Sequence, residues 1–465
     1  MAVIFVRITH FAGAVLLALQ VTAVPAFAGA PPLGLREVVE RAVAESHQVK
    51  AGGFDVVKAE AGVRKARALR YLPELKLKLE GGLVPAARGT VVSSPDTSSE
   101  VEDLGPFYRA NLTFVQPLWT FGRLDAADDL ARGALTAQQA RRDLTGANVA
   151  LDAARAYWVL AAAARGEAIA RSMRRDFDKL QQEVEKRLAD ETSGVNASDL
   201  LEVKANSFSI DSLFLNAVEA RSASADILRQ MLSLPGDEEP PLVNEPPPLL
   251  AIDESQTVQA VARALEAHPE IRTLAAATKA LAAKVELERQ SRNPIVFLGG
   301  GVGYAHAGNR DKQDNPWVSD DFNYTRVSLE LGVSWDANLY RKSIDVSEIV
   351  AEQRALLEQL ELLRTKVGID ARKALREALR TRALLDSARV ALKAATSRLR
   401  LVLDNWETGI GEVGDVIDAY EKYYKLCVEE PQREYELNAA LARLGFVLGD
   451  VNLYLGWVHD GKVSL

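Results

Sequence analysis

The amino-acid sequence repeats itself, and this duplication constrains the fold more than any other feature. Three pairs of segments align in the same order at nearly the same offset of 215–222 positions. The pairs are 42–50 with 264–272, Leu112 with Leu329, and 193–203 with 408–419. Each match alone is weak, but an ordered set at one offset indicates two copies of a single structural plan.

The duplication predicts the domain organisation. The first repeat covers residues 29–235, the second covers residues 256–455, and residues 456–465 form a C-terminal tail. Between the repeats, residues 236–255 contain a proline-rich stretch. Proline lacks a backbone donor and has a fixed φ, so this stretch favours an extended linker over regular structure.

Each repeat predicts the same order of elements: a helix, two strands, a very long helix and, after a tight turn, a returning helix. In the first repeat these are helix 36–70, strands 74–84 and 107–118, long helix 123–190 and returning helix 197–234. In the second they are helix 256–290, strands 295–305 and 323–335, long helix 341–405 and returning helix 413–449. His47 and His268 lie at nearby repeat positions, where we expect short breaks in the first helices.

The long helical segments carry the spacing of a coiled coil. Their apolar and small residues step by three and four positions. These residues are Leu144, Ala147, Leu151, Ala154, Trp158 and Ala161, and then Leu385, Ala388, Leu392, Ala395, Leu399 and Val402. At about 1.5 Å per residue such helices reach roughly 100 Å. This is far longer than a globular core requires, so we expect long coiled-coil hairpins.

The N-terminus has the layout of an export signal. Residues 1–28 contain no acidic residue and a single fixed cation, Arg7, followed by the apolar run 11–19 and the small-x-small sequence 26–28. This pattern predicts a secretory signal peptide that is cleaved before Gly29. An N-terminal membrane anchor is the alternative, although the apolar run is short for a span of about 20 residues.

The predicted strands alternate apolar and polar residues. Leu75, Leu77 and Leu79 share one face of strand 74–84, opposite charged residues. Each strand has the length, about ten residues, that a tilted strand needs to cross a bilayer. Aromatic residues gather at both strand ends, as in the girdles of transmembrane barrels. They are Trp119, Phe121, Trp335 and Tyr340 at one end, and Phe107, Tyr108, Tyr304, Trp317, Phe322 and Tyr324 at the other.

With the export signal, this alternation predicts a contribution to a transmembrane β-barrel. A half-buried soluble sheet alternates in the same way and is the alternative. Four strands cannot close a barrel, because the smallest closed barrels have about eight. An open sheet edge is not tolerated in lipid. We therefore expect oligomers, in which two, three or four copies supply 8, 12 or 16 strands.

Composition excludes several other classes. The 56 Lys and Arg against 64 Asp and Glu give a net charge of −8, which argues against nucleic-acid binding. The single cysteine, Cys427, cannot form an intramolecular disulfide or a cysteine-based zinc site. The glycine run 299–303 lacks the Lys-Ser/Thr ending of a phosphate loop and is expected to be a close-packed strand. We expect no cofactor, no metal site and no enzymatic activity.

Together, these features resemble the TolC-type outer-membrane efflux proteins over nearly all of the mature chain. The motifs that carry the resemblance are Gln116-Pro117-Leu118-Trp119 with Gly122 at a strand-to-helix switch, and Thr408-Gly409 followed by residues 415–419 (DVIDA) at a helical tip. The resemblance implies a mainly α fold with a β part. It implies a homotrimer with a 12-stranded barrel in the lipid of the outer membrane, continued by a periplasmic α-barrel tunnel of 12 helices.

The resemblance also implies a function and partners. Such proteins are passive exit ducts of tripartite efflux pumps or type I secretion systems. They dock with a periplasmic adaptor (membrane-fusion) protein and an inner-membrane pump of the RND or ABC type. The adaptor-docking residues are then expected at the hairpin turns, Ser193, Gly194, Val195, Thr408, Gly409 and Ile410. A soluble periplasmic coiled-coil scaffold with a small β domain remains the alternative.

The sequence departs from the family pattern at two places. The second switch, residues 333–337 (VSWDA), lacks the proline and glycines of the first. Gly411 stands near the tip glycine, where family members often carry an Arg that bridges to an Asp of the first repeat. The resemblance therefore does not extend to the second switch motif or to that latch.

Four carboxylates occupy equivalent positions just after the two hairpin turns. Asp199 and Glu202 in the first repeat match Asp415 and Asp418 in the second, and residues three apart share one helix face. One interpretation is helix capping, since anions favour a helix N-terminus. The other is an acidic pore constriction at the periplasmic tip, where three copies would bring twelve carboxylates together. The two interpretations are compatible, and the sequence leaves both open.

Overall fold

The computed structural model describes residues 31–89, 103–189, 195–236, 239–243, 249–250, 253–313, 315, 317 and 319–463. The predicted signal peptide, residues 1–28, lies outside this part of the chain. So do Ser193 and Gly194, two of the residues expected at the first hairpin turn.

The two repeats have the same order of elements. The first contains α1 (Leu35–Glu45), α2 (His47–Tyr71), β1 (Glu74–Val84), β2 (Gly105–Trp119), α3 (Arg123–Leu188) and α4 (Ala197–Met231). After the short strand β3 (Leu249–Leu250) and a 3-10 turn, the second contains α5 (Thr257–Ala267), α6 (Pro269–Gln290), β4 (Ile295–Ala307), β5 (Tyr324–Ser334), α7 (Leu339–Glu407) and α8 (Val413–Val447). Helix α9 (Val451–Asp460) and strand β6 (Lys462–Val463) follow. Among the described helices, none is long and apolar enough to cross a membrane.

The first helix of each repeat is broken at equivalent positions. Ser46 and His268 both leave the helical conformation, with ψ of 119° and 128°, and each begins the next helix as its N-cap. The Ser46 hydroxyl accepts a hydrogen bond from the Val49 amide, and Nδ1 of His268 accepts one from the Glu270 amide at 3.3 Å. The expected breaks near His47 and His268 are thus present, and side-chain caps stabilise them.

The four long strands form one antiparallel sheet in the order β1-β2-β4-β5. Its register aligns Leu77, Leu112, Val302 and Val327 in one row, and the adjacent row aligns Lys78, Asn111, Gly303 and Arg326. Since neighbouring rows project to opposite faces, one face is apolar and the other polar. The apolar side chains of β1 and β5 are exposed on the single chain. Within the described residues, β1 and β5 have no strand on their outer sides.

The glycines of β4 make room for aromatic rings of the neighbouring strands. A Cβ atom at Gly300 would lie 2.7 Å from the ring of Phe114, and one at Gly303 would lie 2.9 Å from the ring of Tyr324. The run 299–303 is therefore a close-packed strand, as predicted.

The aromatic residues at the strand ends farthest from the helices do not all lie on the same face of the sheet. Tyr108 and Tyr304 lie on the apolar face, with ring centroids 6.1 Å apart. Phe107 and Tyr324 lie on the polar face, where Tyr324 Oη donates to Asn111 Oδ1 at 2.8 Å. The prediction of one aromatic girdle at this end was wrong for Phe107 and Tyr324, because both share the parity of polar residues in their strands.

The two strand-to-helix switches bend by different means. In the first, the register shifts between Pro117 and Trp119, and Gly122 (φ 88°) is the N-cap of α3. The second has no residue with positive φ among the described residues 333–338. Instead Asp336 Oδ1 accepts from the Asn338 amide at 3.2 Å, and the Lys342 ammonium lies 3.5 Å from Asp336. The expected departure at residues 333–337 therefore changes how the bend forms, not whether it forms.

The end of the chain packs against the core, and the segment named as the C-terminal tail, 456–465, includes the buried Trp457 and Val463. Helix α9 begins at Val451, capped by Asp450, and continues to Asp460. Trp158 of α3 donates from Nε1 to the Tyr454 hydroxyl, which in turn donates to Asn438 of α8 at 3.3 Å. The apolar residues of α9 fold back because they can be buried against both repeats.

The linker between the repeats is extended and fixed in place where it is described. Leu33 and Leu242 form a parallel bridge, and the Tyr157 hydroxyl donates to the Val243 carbonyl. Arg221 of α4 donates from Nε to Glu239 at 2.7 Å and from Nη1 to the buried Glu167 at 2.8 Å. Arg221 thereby holds the linker residue Glu239 against the first hairpin.

Candidate functional site: the tip of the helical hairpins

The second hairpin turns tightly between α7 and α8. Gly409 adopts a left-handed conformation (φ 78°), and the Ile410 amide donates to the Asn405 carbonyl at 3.0 Å. The Thr408 hydroxyl donates to the same carbonyl at 2.9 Å. The turn requires glycine at 409, because a side chain there would be strained at positive φ.

The first hairpin returns through a capping box. Asn196 Oδ1 accepts hydrogen bonds from the amides of Ser198 at 2.7 Å and Asp199 at 3.2 Å. Asp199 Oδ2 in turn accepts from the Asn196 amide at 2.9 Å. The capping interpretation of Asp199 is therefore correct, and one of its oxygens is engaged at the start of α4.

The other three carboxylates are exposed at the same end of the molecule. Glu202 of α4 reaches the start of α8, with Oε1 4.0 Å from the point that a Cβ atom of Gly414 would occupy. Asp415 lies in the first turn of α8, where the helix dipole favours an anion. Asp418 lies one turn further on and is exposed. The fold thus brings acidic residues of both hairpins together at one tip.

The residues expected to bind an adaptor differ in exposure. Val195 packs against the apolar cluster inside the tip. Thr408 and Gly409 are exposed, but they also form the turn itself. Ile410 is 80% exposed and projects from the end of the second hairpin. Of the described turn residues, Ile410 is the one that presents a large apolar side chain to solvent.

An arginine that the sequence analysis missed joins the two hairpins. Arg187, in the last turn of α3, donates from Nη1 to the carbonyl of Trp406, in the last turn of α7, at 2.8 Å. Its guanidinium carbon lies 4.3 Å from the centroid of the Trp406 ring. Arg187 also donates to Glu183 at 2.8 Å, which lowers the pKa of that carboxyl. The sequence did offer a signal for this contact, because a basic residue ends one long helix and a Trp ends the other.

Aromatic residues continue the packing above the tip. The Tyr424 hydroxyl of α8 donates to Asp176 Oδ2 of α3 at 2.6 Å. Tyr420 stacks on Tyr424 with the rings inclined by 16°, and Phe177 lies 5.6 Å from Tyr420. Burial and the Asp176 carboxylate raise the pKa of Tyr424, so its hydroxyl stays protonated and keeps donating.

A charged cluster separates the apolar core of the tip from the larger core above it. Arg389 of α7 donates to Glu434 at 2.6 Å and to Glu430 at 3.2 Å, both on α8. Arg165 of α3 pairs with the same two carboxylates. Burial opposes the charge of Arg389, but Glu434 and Glu430 raise its pKa overall. Three helices are therefore held together by paired charges at this level.

The part of the chain that the structure describes holds no group of three or more His, Cys, Asp or Glu side chains that could bind a metal ion. Cys427 is half-buried, and burial raises the pKa of its thiol. Its hydrogen bond with Tyr423 raises the pKa of that tyrosine to about 12. A protonated thiol in this setting packs between helices and is a poor nucleophile.

Comparison with known proteins gives a clear result at the level of structure. No family model and no curated protein matches the sequence. Among solved structures, the CusC transmembrane channel aligns with a TM-score of 0.71 at 16% identity, over 90% of this chain and 92% of that one. The CmeC outer-membrane channel of Campylobacter jejuni aligns with a TM-score of 0.71 at 13% identity, over 92% and 89%. The open-state MtrE outer-membrane channel of Neisseria gonorrhoeae aligns with a TM-score of 0.68 at 16% identity, over 90% and 89%.

These similarities extend over almost the whole length of each chain. The protein has the fold of TolC-type outer-membrane channels, and the fold class predicted from the sequence is confirmed.

Proposed function

We propose that this chain is one protomer of a trimeric exit duct of the TolC type in the outer membrane. The duct passes solutes passively through a periplasmic helical tunnel and out through a β-barrel. The observation that carries the proposal is one sheet with an apolar face, a polar face and two edges that no other described strand covers. The sheet is joined directly to helical hairpins whose longer helices have 66 and 69 residues.

The sheet supports a closed barrel made from several copies. Its four strands are antiparallel throughout, so β5 of one copy can pair with β1 of the next without breaking the alternation. Three copies supply 12 strands, which is enough to enclose an aqueous lumen. The exposed apolar face then meets lipid and the polar face lines the lumen. Closure satisfies every backbone group at the edges, as the bilayer requires.

The helices have matching free edges. In the half of the hairpins nearest the turns, α3 packs against α4 and α8, and α7 packs against α8. The lateral order of the helices is therefore α4-α3-α8-α7. On α4, Leu201, Phe208 and Leu215 are seven residues apart and 67%, 80% and 65% exposed. On α7, Val390 and Leu401 lie at matching distances from the turns, are 73% and 61% exposed, and are eleven residues apart, which is one heptad plus four. Exposed heptad positions on both outer helices favour coiled-coil pairing of α4 with α7 of a neighbouring copy.

The same arrangement supports a localisation and a set of partners. The predicted export signal, the apolar sheet face and the outer-membrane channels with this fold support placement in the outer membrane, with the hairpins in the periplasm. The tip, with Ile410 exposed, then faces the periplasmic adaptor of an inner-membrane pump of the RND or ABC type. The acidic residues Glu202, Asp415 and Asp418, with Asp199, surround the tunnel entrance as a constriction. Transport of small molecules or polypeptides in this way needs no catalytic residue.

Variants of the helical seam test the proposal. Phe208→Glu places a charge on the exposed heptad edge of α4 and should abolish the chemically cross-linked trimer in membranes. Asn216→Glu adds the same charge to α4 outside the heptad positions and should leave the trimer intact. A wild-type protein that is recovered without detergent and never cross-links as a trimer would support the soluble scaffold instead.

A further inference from the structure

The connection before β5 folds over the polar face of the sheet. Arg109 of β2 and Arg326 of β5 both belong to rows on that face. Arg109 donates from Nη2 to the Asp321 carbonyl at 2.7 Å. Arg326 donates from Nη2 to the Asp320 carbonyl at 2.9 Å and to the Ser319 hydroxyl at 3.1 Å. Two arginines of the sheet therefore hold the segment 319–323 inward.

Aromatic packing holds the same segment. The ring of Phe322 meets the ring of Phe107 edge-on, with centroids 5.2 Å apart and an angle of 86°. The guanidinium groups of Arg109 and Arg310 lie 5.7 Å and 4.9 Å from the Phe322 centroid. Under this layer Ala305 of β4 is only 3% exposed, although it projects from the polar face. The packing forms a small apolar core on the polar face of the sheet, which would otherwise contact water.

The connection after β1 is fastened to the connection after β4. Asn309 donates from Nδ2 to the Val84 carbonyl at 2.8 Å, and Arg310 donates from Nη1 to the Pro85 carbonyl at 2.9 Å. The backbones of Ala87 and Asp311 are also hydrogen-bonded, at 2.9 Å. The described parts of the two connections are thus held together, and the sheet holds segment 319–323 through Arg109 and Arg326.

We propose that segment 319–323, held inward in this way, is a constriction at the outer exit of the duct, separate from the acidic tip at the periplasmic end. The inference rests on the proposed function, because the polar face lines a lumen only in the closed barrel. There, three copies of segment 319–323 project toward the axis at the end of the strands away from the helices. A 12-stranded barrel has room for a water-filled lumen, and the three segments occupy part of it. The exit then limits which solutes leave and which external solutes enter.

Thiol labelling on intact cells tests this constriction. In a Cys427→Ala background, Ser328→Cys places a thiol on the polar face of β5, below segment 319–323. A bulky membrane-impermeant maleimide added outside should react with it slowly. Adding Arg109→Ala and Arg326→Ala removes the bonds that hold the segment. The rate should then rise about tenfold, since losing several ordinary hydrogen bonds shifts an open–closed equilibrium by at least that factor.

Two further variants separate the possible failures. Trp317→Cys places a thiol on the exposed outer connection and should react rapidly from outside in every background. If it does not react, the proposed outer-membrane placement is wrong. Phe322→Ala should accelerate labelling of Ser328→Cys by removing the aromatic layer while both arginines remain. If Trp317→Cys and Ser328→Cys react equally fast in the otherwise unchanged protein, or if no variant changes the Ser328→Cys rate, the constriction does not exist.

Discussion

Arg187 and Trp406 join the two helical hairpins at their tips, through a hydrogen bond to the Trp406 carbonyl and a guanidinium group stacked 4.3 Å from the indole centroid. The two residues come from different repeats, so the contact fixes the hairpins relative to each other. Gly411 carries no side chain that could bridge the repeats. In this chain, Arg187 supplies a charged contact between the hairpins at this level.

The first prediction concerns this contact. Arg187→Ala removes a charged hydrogen bond and a cation–π contact, and should lower the stability of the tip by about 2 kcal/mol. Hydrogen exchange of the last turns of α3 and α7 measures this directly and should become faster. Arg175→Ala removes an exposed arginine from the same helix and should have no such effect. Equal exchange in both variants would contradict the assigned role of Arg187.

The second prediction concerns the acidic mouth. Replacing Asp415 and Asp418 with Asn should weaken cation selectivity and the block by multivalent cations, because fewer carboxylates surround the entrance. Single-channel conductance in a planar bilayer measures both properties. Glu361→Gln removes an exposed acid far from the tip and serves as the control. If the double variant behaves as wild type, these carboxylates serve only to stabilise the N-terminus of α8.

The third prediction concerns the charged cluster between the two cores. Glu434→Ala removes one of the two carboxylates that Arg165 and Arg389 share, the nearly buried Glu434, and leaves only Glu430 to pair with them. Breaking such a pair should cost about 2–3 kcal/mol, less than for a fully buried pair because both arginines are partly exposed. Thermal unfolding in detergent checks this. Glu361→Ala, which breaks an exposed pair with Arg364, should cost under about 1 kcal/mol.

The fourth prediction is a pH dependence that arises at His268. Burial is the main cause that lowers the pKa of His268, and Lys366 lowers it further. Glu270 and Asp370 act in the opposite direction but do not reverse the shift. Its Nδ1 accepts a hydrogen bond from the Glu270 amide, which requires the neutral ring, and Phe446 packs against it edge-on. The unfolded state therefore binds a proton that the folded state does not. The contribution of His268 to stability should be constant above about pH 6.5 and fall as the pH decreases below that value.

Comparing variants isolates the contribution of His268. His268→Gln removes the titrating group, so its thermal unfolding should depend less on pH below about 6.5 than that of the wild type. His47→Gln changes an exposed histidine near the equivalent break and should follow the wild type. The same pH dependence in all three proteins would assign the acid sensitivity to other groups.

The fifth prediction distinguishes the two faces of the sheet. Leu329→Arg places a charge on the apolar face and should cost about 2–4 kcal/mol if that position lies near the middle of the bilayer. Ser328→Arg places the same side chain on the neighbouring residue, which faces the lumen, and should cost much less. Trimer stability in detergent on heating compares the two. Equal effects would mean that both faces meet water.

The sequence was sufficient for features that repeat along the chain. Alternation in strand 74–84 and heptad spacing around Leu151 and Leu385 are local, and they predicted elements close to the observed bounds. Contacts between distant segments were not predictable in this way. Arg187 meets Trp406 across two hairpins, and Tyr454 reaches Trp158 only because α9 folds back on the core.

Some features were readable from the sequence but were missed. Phe107 stands two residues before Arg109, so strand alternation already places it on the polar face. Phe107 was assigned to the lipid-facing aromatic girdle because its position at the strand end was considered, but its place in the alternation of the strand was not. The same parity would have indicated that Phe107 and Arg109 could hold a connection over the lumen.

The central claim is that three copies close one barrel and one tunnel. Light scattering of the protein extracted from outer membranes with detergent, corrected for bound detergent, measures the mass of the assembly. The account predicts a particle of three chains that does not dissociate on dilution. A monodisperse single chain that remains folded and soluble in plain buffer would contradict it.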